Sequence, residues 1–236
     1  MWYVFLMHSP EETITIAWCD PSTVESPFMS SVIAVMLRLQ QRNIPLYSVT
    51  HRMGNEIFRQ RQDLLDSWYE DETADWLLWL DSDIIITPDI FDNLWDVADK
   101  DKFPVITGVY MTYKATDGVL RMPFPCIFLY DKKEEDYKSV HPLPDNALVQ
   151  VDAAGMGLLL IHRSVIDALY KVYKKGNLFD VSLIKPIKSE DISFFEKLRE
   201  QEIPVFAHTG AIARHIKKVY LDKEYYEHWW AQFGEK

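Results

Sequence analysis

Five apolar residues, Trp76, Leu77, Leu78, Trp79 and Leu80, run straight into Asp81-Ser82-Asp83. An unbroken apolar run of this length predicts a strand buried on both faces of a parallel sheet. Two carboxylates at its end would lie at the carboxyl edge of that sheet, where open α/β sheets bind their ligands. Spaced i, i+2, they can point at one cation if the strand breaks into a loop between them. Hard oxygen ligands suit Mg2+ or Mn2+, and such ions bridge protein to substrate phosphates. Turn chemistry explains Asp89 without any function: Thr87 reads as an N-cap, Pro88 as the first helical residue and Asp89 as a first-turn acid. It does not explain Asp81 and Asp83, which precede that turn.

The rest of the chain supplies the frame such a strand needs. Residues 13–18 alternate and are rich in β-formers, and they predict a first strand ending at Cys19-Asp20-Pro21. Residues 26–41 carry apolar side chains at helical spacing (Phe28, Val32, Val35, Met36, Leu39). A second strand is expected over 43–50, a helix over 55–68 bearing Arg59 and Arg61, the Asp-tipped strand, a helix over 88–98 and a strand over 103–110. Strand and helix alternate throughout, which calls for a parallel sheet with helices on both faces.

After residue 110 the character changes. Short strands are expected at 119–121, 126–130 and 147–152, with a solvated charged loop at 131–136. A turn at Gly155-Met156-Gly157 precedes a strand at 158–161. A helix is expected to open at Ser164 with capping-box spacing, and another at Ser189-Glu190-Asp191 running to Arg199. Residues 178–188 read as irregular, 203–207 as a late strand, 208–218 as a loop and 220–233 as an aromatic helical tail.

With 236 residues the chain can bury a single large α/β core. Residues 1–110 are expected to form a nucleotide-binding half and 111–236 an acceptor-side half. A net charge of −11 weighs against a surface built to grip duplex nucleic acid. Two cysteines, Cys19 and Cys126, make neither a disulfide framework nor a zinc signature, so a reducing, cytoplasmic setting is expected. The apolar opening at 1–7 lacks a positive flank and is too short for a signal peptide. No apolar stretch approaches the ~20 residues of a transmembrane helix. Aromatic residues make up 14% of the chain, including eight Trp, and core packing is their first use.

Four features thus stand in order: Asp81-Ser82-Asp83, Gly155-Met156-Gly157, Glu190-Asp191 and His215. Together with Gly108-Val109-Tyr110, Lys114 and the stretch Val151 to Arg163, this set resembles glycosyltransferases of the GT-A fold. The resemblance is to those grouped with the large inverting family 2, and more narrowly to small phage and bacterial forms. It covers residues 76–216, and before that only the outline of the opening elements and Arg61 match. The fold it implies is Rossmann-like, a mixed and mainly parallel sheet flanked by helices. The activity it implies is sugar transfer from a nucleotide-sugar donor, a UDP-sugar favoured, to a hydroxyl acceptor, with Mn2+ or Mg2+ as cofactor.

The same resemblance distributes roles. Asp83 and His215 are expected to hold the metal, with Asp81 near the ion or the ribose. Asp191 is expected to act as general base, with Glu190 beside it. Arg61 and Lys114 could meet donor phosphates, and the Gly155 turn could lie beneath the donor sugar. Asp20 and Thr50, at the expected ends of the first two strands, lie where base and ribose should sit. Each role has a plainer counterpart. Acids in a first helical turn answer the helix dipole, His215 could be a surface histidine in a basic loop, and Arg61 an exposed helix arginine.

Three rivals stand beside this. A phosphatase with an aspartate nucleophile would carry the motif on its first strand, whereas here about 80 residues precede Asp81. A sugar nucleotidyltransferase needs the same carboxylates and metal. A binding module without turnover would keep the pocket. The phage-like look suggests a hydroxymethylated DNA base or nucleotide as acceptor, while lipid, glycan and protein hydroxyls stay open.

Overall fold

The structure, a computed structural model, describes residues 12–113, 123–181, 189–218 and 223–234. In chain order its elements are β1 (Ile14–Asp20), α1 (Ser26–Gln41), β2 (Leu46–Met53), α2 (Ile57–Asp71), β3 (Trp76–Asp81), β4 (Ile84–Ile85), α3 (Pro88–Trp95), β5 (Val105–Val109), β6 (Met111–Thr112) and β7 (Phe124–Pro125). There follow β8 (Ile127–Asp131), β9 (Asp136–Ser139), β10 (Leu148–Val151), β11 (Ala153–Ala154), β12 (Leu158–His162), α4 (Arg163–Val172), α5 (Glu190–Glu200), β13 (Val205–Ile212), β14 (Arg214–His215) and α6 (Lys223–Phe233). Lys114, the apolar opening at 1–7, the strand expected at 119–121, and much of the irregular stretch 178–188 lie outside the described residues.

Seven strands form the central sheet in the order β10-β13-β5-β12-β3-β1-β2. β1 pairs in parallel with β2 and β3, and β13 with β5. β12 runs antiparallel to both of its neighbours, β3 and β5, and β10 runs antiparallel to β13. The sheet is therefore mixed: five of its seven strands share one direction, and its six pairings divide equally between parallel and antiparallel. Its helices cover both faces, as the alternation of strand and helix in the sequence requires.

β3 lies between β12 and β1, which is why its sequence is apolar without alternation. Trp76, Leu78 and Leu80 join one apolar layer with Phe28, Val32 and Val35 of α1 and Phe91 of α3. Leu77 and Trp79 point the other way, into a layer with Leu64 and Trp68 of α2 and Phe194 of α5. All five side chains are at most 1% exposed. At about 1.5–3 kcal/mol for each fully buried large apolar side chain, this one strand contributes a large share of the folding drive.

Local capping follows the sequence with one correction. Thr87 caps α3 by accepting from Ile90 N at 3.3 Å, and Ser189 caps α5 by accepting from Ile192 N at 3.5 Å. Ser164, by contrast, is inside α4: the N-cap is His162, whose ring nitrogen accepts from Ser164 N at 3.2 Å. The expected loop at 208–218 is largely extended, because β13 runs on to Ile212 and β14 follows. Burial alternates along β13 (Val205, Ala207, Thr209 and Ala211 are buried), but the residue types hide that period, since Thr209 is polar and the outward Ile212 is apolar. β2 likewise runs on to Met53, so Thr50 sits inside the strand and not at its end.

Because β1, β3 and β5 share a direction, the ends of these strands meet at one edge. Cys19 pairs with Asp81 across β1 and β3. The turn into β12 returns to the same edge, where Asp81 N donates to Gly157 O at 3.0 Å. Gly108 in β5 is confined there as well, since a Cβ would strike the Leu158 side chain and stand 2.9 Å from Ala211 O.

A charged clamp joins α1 to α3. Asp92 accepts from Arg38 at 2.6 Å and Arg42 at 2.7 Å. Burial would raise the Asp92 pKa, but the hydrogen bonds and charges of the two arginines outweigh it and hold the carboxyl below its ordinary 3.8. The folded pKa is depressed, so the stabilisation is present above 3.8 and is lost as pH falls through the folded value. Asp92→Asn is expected to cost at most about 1 kcal/mol at neutral pH, given the partly exposed arginines. The gap in thermal midpoint between wild type and variant should close only below pH 3.8, and a gap that persists unchanged there would show that the clamp is not electrostatic.

Candidate active site

The strand ends open onto a cleft of about 360 Å³ lined by Cys19, Asp20 and Pro21 after β1, Gly54 and Asn55 after β2, Gln60 and Arg61 of α2, and Asp81, Ser82 and Asp83 after β3. Two sets of charged groups meet at its floor and rim.

The first set centres on Arg61. The side chain is 4% exposed, so the plainer reading of Arg61 as an exposed helix arginine does not hold. Its Nη2 donates to both oxygens of Asp81, at 3.0 and 3.2 Å. Its Nη1 donates to Glu190 Oε1 at 2.9 Å and to Asp191 Oδ1. One guanidinium thereby ties the end of β3 to the first turn of α5. Asp191 receives a further contact from Met156 N at 3.4 Å. Asp81, expected near the ion or the ribose, gives both oxygens to Arg61. Glu190 and Asp191 sit in the first turn, where the helix dipole favours them, and the side chain of Asp191 remains 24% exposed toward solvent.

The second set centres on Asp83. Immediately after it, β4 pairs antiparallel with β14, placing His215 opposite Ile84. Ile216 N donates to the Asp83 carbonyl at 2.8 Å and closes the register. His215 Nε2 then stands 3.0 Å from Asp83 Oδ2, while Nδ1 lies 2.8 Å from the Met111 carbonyl. A carbonyl and a carboxylate both only accept, so each ring nitrogen has to carry a hydrogen to satisfy its partner, and an ion arriving at Asp83 would take the place of the Nε2 hydrogen. Lys217 Nζ reaches the same oxygen at 3.1 Å. Burial raises the Asp83 pKa, but the hydrogen bond and charge of His215 and then Lys217 outweigh it, and the carboxyl titrates below 3.8.

This pair fits a hard divalent ion. Octahedral bonds of about 2.1 Å put adjacent ligand atoms about 3 Å apart, which matches the Asp83–His215 spacing. A histidine whose far nitrogen is fixed on a carbonyl is oriented as metal ligands are. Among the described residues no three His, Cys, Asp or Glu side chains converge on one ion position. Among the described residues the site therefore offers two candidate ligands, Asp83 and His215.

The glycine turn serves this pair indirectly. A Cβ on Gly155 would run into the Tyr110 hydroxyl and lie 2.6 Å from Cys126 Sγ. Gly157 N donates to the same hydroxyl at 3.2 Å. The room belongs to Tyr110, whose ring meets His215 edge-on at 5.0 Å between centroids. Gly155 is itself buried and does not line the cleft, and neither does Thr50.

Asp20 does line the cleft. Its carboxylate is committed to Trp18 Nε1 at 3.1 Å, Ser22 N at 2.8 Å and His51 Nδ1 at 2.9 Å. It thus shapes the loop, and the His51 ring stacks on Trp18 at 5.3 Å. Sequence reasoning passed over His51 and Lys217. For Lys217 a signal existed, since residues two apart on an extended segment face the same way. Burial pushes the Cys19 thiol up to about 12, which keeps it protonated and unreactive.

No protein-family profile matches the chain, and no curated protein matches it. Solved structures do. A197 from STIV is 18% identical, with a TM-score of 0.52 over 88% of this chain and 86% of that one. GalNAc-T7, crystallised with UDP, GalNAc and Mn2+, is 13% identical, with a TM-score of 0.58 over 88% of this chain. The chain spans 44% of the GalNAc-T7 chain. These likenesses carry the GT-A fold.

Replacing Arg61 should test the buried cluster. Arg61→Met leaves three carboxylates without their cation and is expected to destabilise the protein by about 3–5 kcal/mol. Arg61→Lys cannot fork to both sides and should restore little of it. Denaturant titration with an unchanged midpoint in either variant would refute the cross-link.

Proposed function

We propose that this chain is a metal-dependent glycosyltransferase. In this reading it moves a sugar from a nucleotide-sugar donor, a UDP-sugar favoured, to a hydroxyl acceptor, with inversion at the anomeric carbon. The observation that carries it is the Asp83–His215 pair, 3.0 Å apart on the rim of the cleft at the carboxyl edge of the sheet. The GT-A fold and the UDP and Mn2+ of GalNAc-T7 support the same reading. Residues 1–236 then make up one GT-A-like domain, with a donor half to about 110 and an acceptor half beyond it.

Asp83 and His215 would hold Mn2+ or Mg2+. When bound, the ion supplies Lewis-acid neutralisation of the charge that builds on the departing diphosphate. The donor's base and ribose enter between the loops after β1 and β2. Asp191, held by Arg61 and Met156 N, takes the proton of the acceptor hydroxyl as its oxygen bonds to the anomeric carbon. The nucleoside diphosphate leaves with the electron pair of the broken C–O bond. Glu190 shares Arg61 with Asp191 and fixes the base at the start of α5. The acceptor favoured by the small-enzyme resemblance is a hydroxymethylated base or nucleotide.

Titrating Mn2+ with a panel of nucleotide sugars should raise the thermal midpoint with one donor. Asp83→Ala or His215→Ala should weaken that donor by more than about tenfold. Absence of any metal-dependent donor binding in the wild type would remove the glycosyltransferase reading. Asp191→Asn should cut transfer by about 10²–10⁴ while donor binding persists; transfer at the wild-type rate would remove Asp191 as the base.

A further inference from the structure

Asp83 Oδ2 is approached by two nitrogens at once, His215 Nε2 at 3.0 Å and Lys217 Nζ at 3.1 Å. Building on the proposed metal site, we infer that Lys217 is an exchangeable counter-cation. It neutralises Asp83 in the metal-free protein, yields that oxygen to the divalent ion, and then pairs with the donor's diphosphate.

The two nitrogens differ in what they can do when an ion arrives. The Nε2 of His215 exposes a lone pair once its hydrogen is released, and it then becomes a neighbouring ligand. The ammonium of Lys217 has three donors and no lone pair. It cannot ligate, and its charge opposes the incoming cation on the same oxygen, so it must leave. It is able to leave, because its side chain is 36% exposed on a flexible four-carbon stem.

Its destination follows from the charges of the cleft. Arg61, the buried cation of the cleft floor, has both of its terminal nitrogens on Asp81, Glu190 and Asp191. A diphosphate entering beside Asp83 therefore finds Lys217 as a cation free to move. The backbone stays put during the exchange: Ile216 N is bound to the Asp83 carbonyl at 2.8 Å, and Lys218 pairs with Glu25 at 2.7 Å. His215 and Lys217, two apart on this extended strap, remain on the Asp83 side throughout.

The consequence is coupling. An ion that displaces Lys217 frees a phosphate ligand, and a diphosphate that draws Lys217 away frees the ion's oxygen. Each must improve the other's affinity by one and the same factor. Binding of Mn2+ alone can be followed by the electron paramagnetic resonance of the free ion, and UDP binding with and without Mn2+ by calorimetry. Both use the full chain, with Lys217→Met and Lys217→Arg compared with wild type. Lys217→Met should bind Mn2+ alone about threefold or more tightly, and UDP in the presence of Mn2+ about fivefold or more weakly. Lys217→Arg keeps the charge and should fall near wild type in both. Unchanged or weaker Mn2+ binding in Lys217→Met, or unchanged UDP binding, would overturn the exchange. A wild-type protein that binds neither Mn2+ nor UDP would overturn the proposed function along with it.

Discussion

The buried guanidinium of Arg61 is the interaction on which the rest of the site depends. It brings together the end of β3, the start of α5 and, through Met156 N on Asp191, the turn before β12. The end of β3 and the start of α5 are more than a hundred residues apart in sequence, whereas the turn before β12 is already held at the end of β3 by strand pairing and by Asp81 N on Gly157 O. A positive charge in a low-dielectric setting is costly unless paired, so folding places α2 where its arginine meets carboxylates. Those carboxylates would in turn repel one another without it. The arrangement is better understood as enforcing geometry than as adding stability, because desolvation offsets much of the attraction.

A second chain of dependence runs through neutral groups. The glycines at 155 and 157 leave space for the Tyr110 ring, the ring flanks the His215 imidazole, and the Met111 carbonyl fixes which nitrogen faces Asp83. Pairing of β4 with β14 then sets the distance. Burial pushes the Tyr110 hydroxyl far above its ordinary 10.0, so it stays protonated and neutral beside the imidazole. None of these supporting groups needs to touch a substrate. They determine whether the two groups that would do so are held within the tolerance that metal chemistry demands.

The charge balance of the cleft explains why an ion belongs in the proposed reaction. Asp81, Asp83, Glu190 and Asp191 face Arg61 and Lys217, so carboxylates outnumber cations before any diphosphate arrives. A chain of net charge −11 supplies little long-range attraction for a polyanion. In the proposed function, divalent charge delivered locally at Asp83 answers both problems, and an ammonium already resting there marks the spot.

The sequence by itself determined the α/β class, the order of elements up to β5 apart from the two-residue β4, the caps at Thr87 and Ser189, and the place of Asp81 and Asp83 at a strand end. These are legible because they rest on local periodicity and capping, which depend on neighbours within a few residues. Tertiary structure decided what local pattern cannot. It reversed β12 between β3 and β5, extended β13 through a stretch that looked like loop, and kept Thr50 inside its strand. It buried Arg61 under three carboxylates, assigned the room at Gly155 to Tyr110, and set Lys217 on the oxygen shared with His215. Each of these depends on contacts between residues far apart in the chain, and a hydrophobic or charged residue does not announce in sequence which distant partner will offset its desolvation.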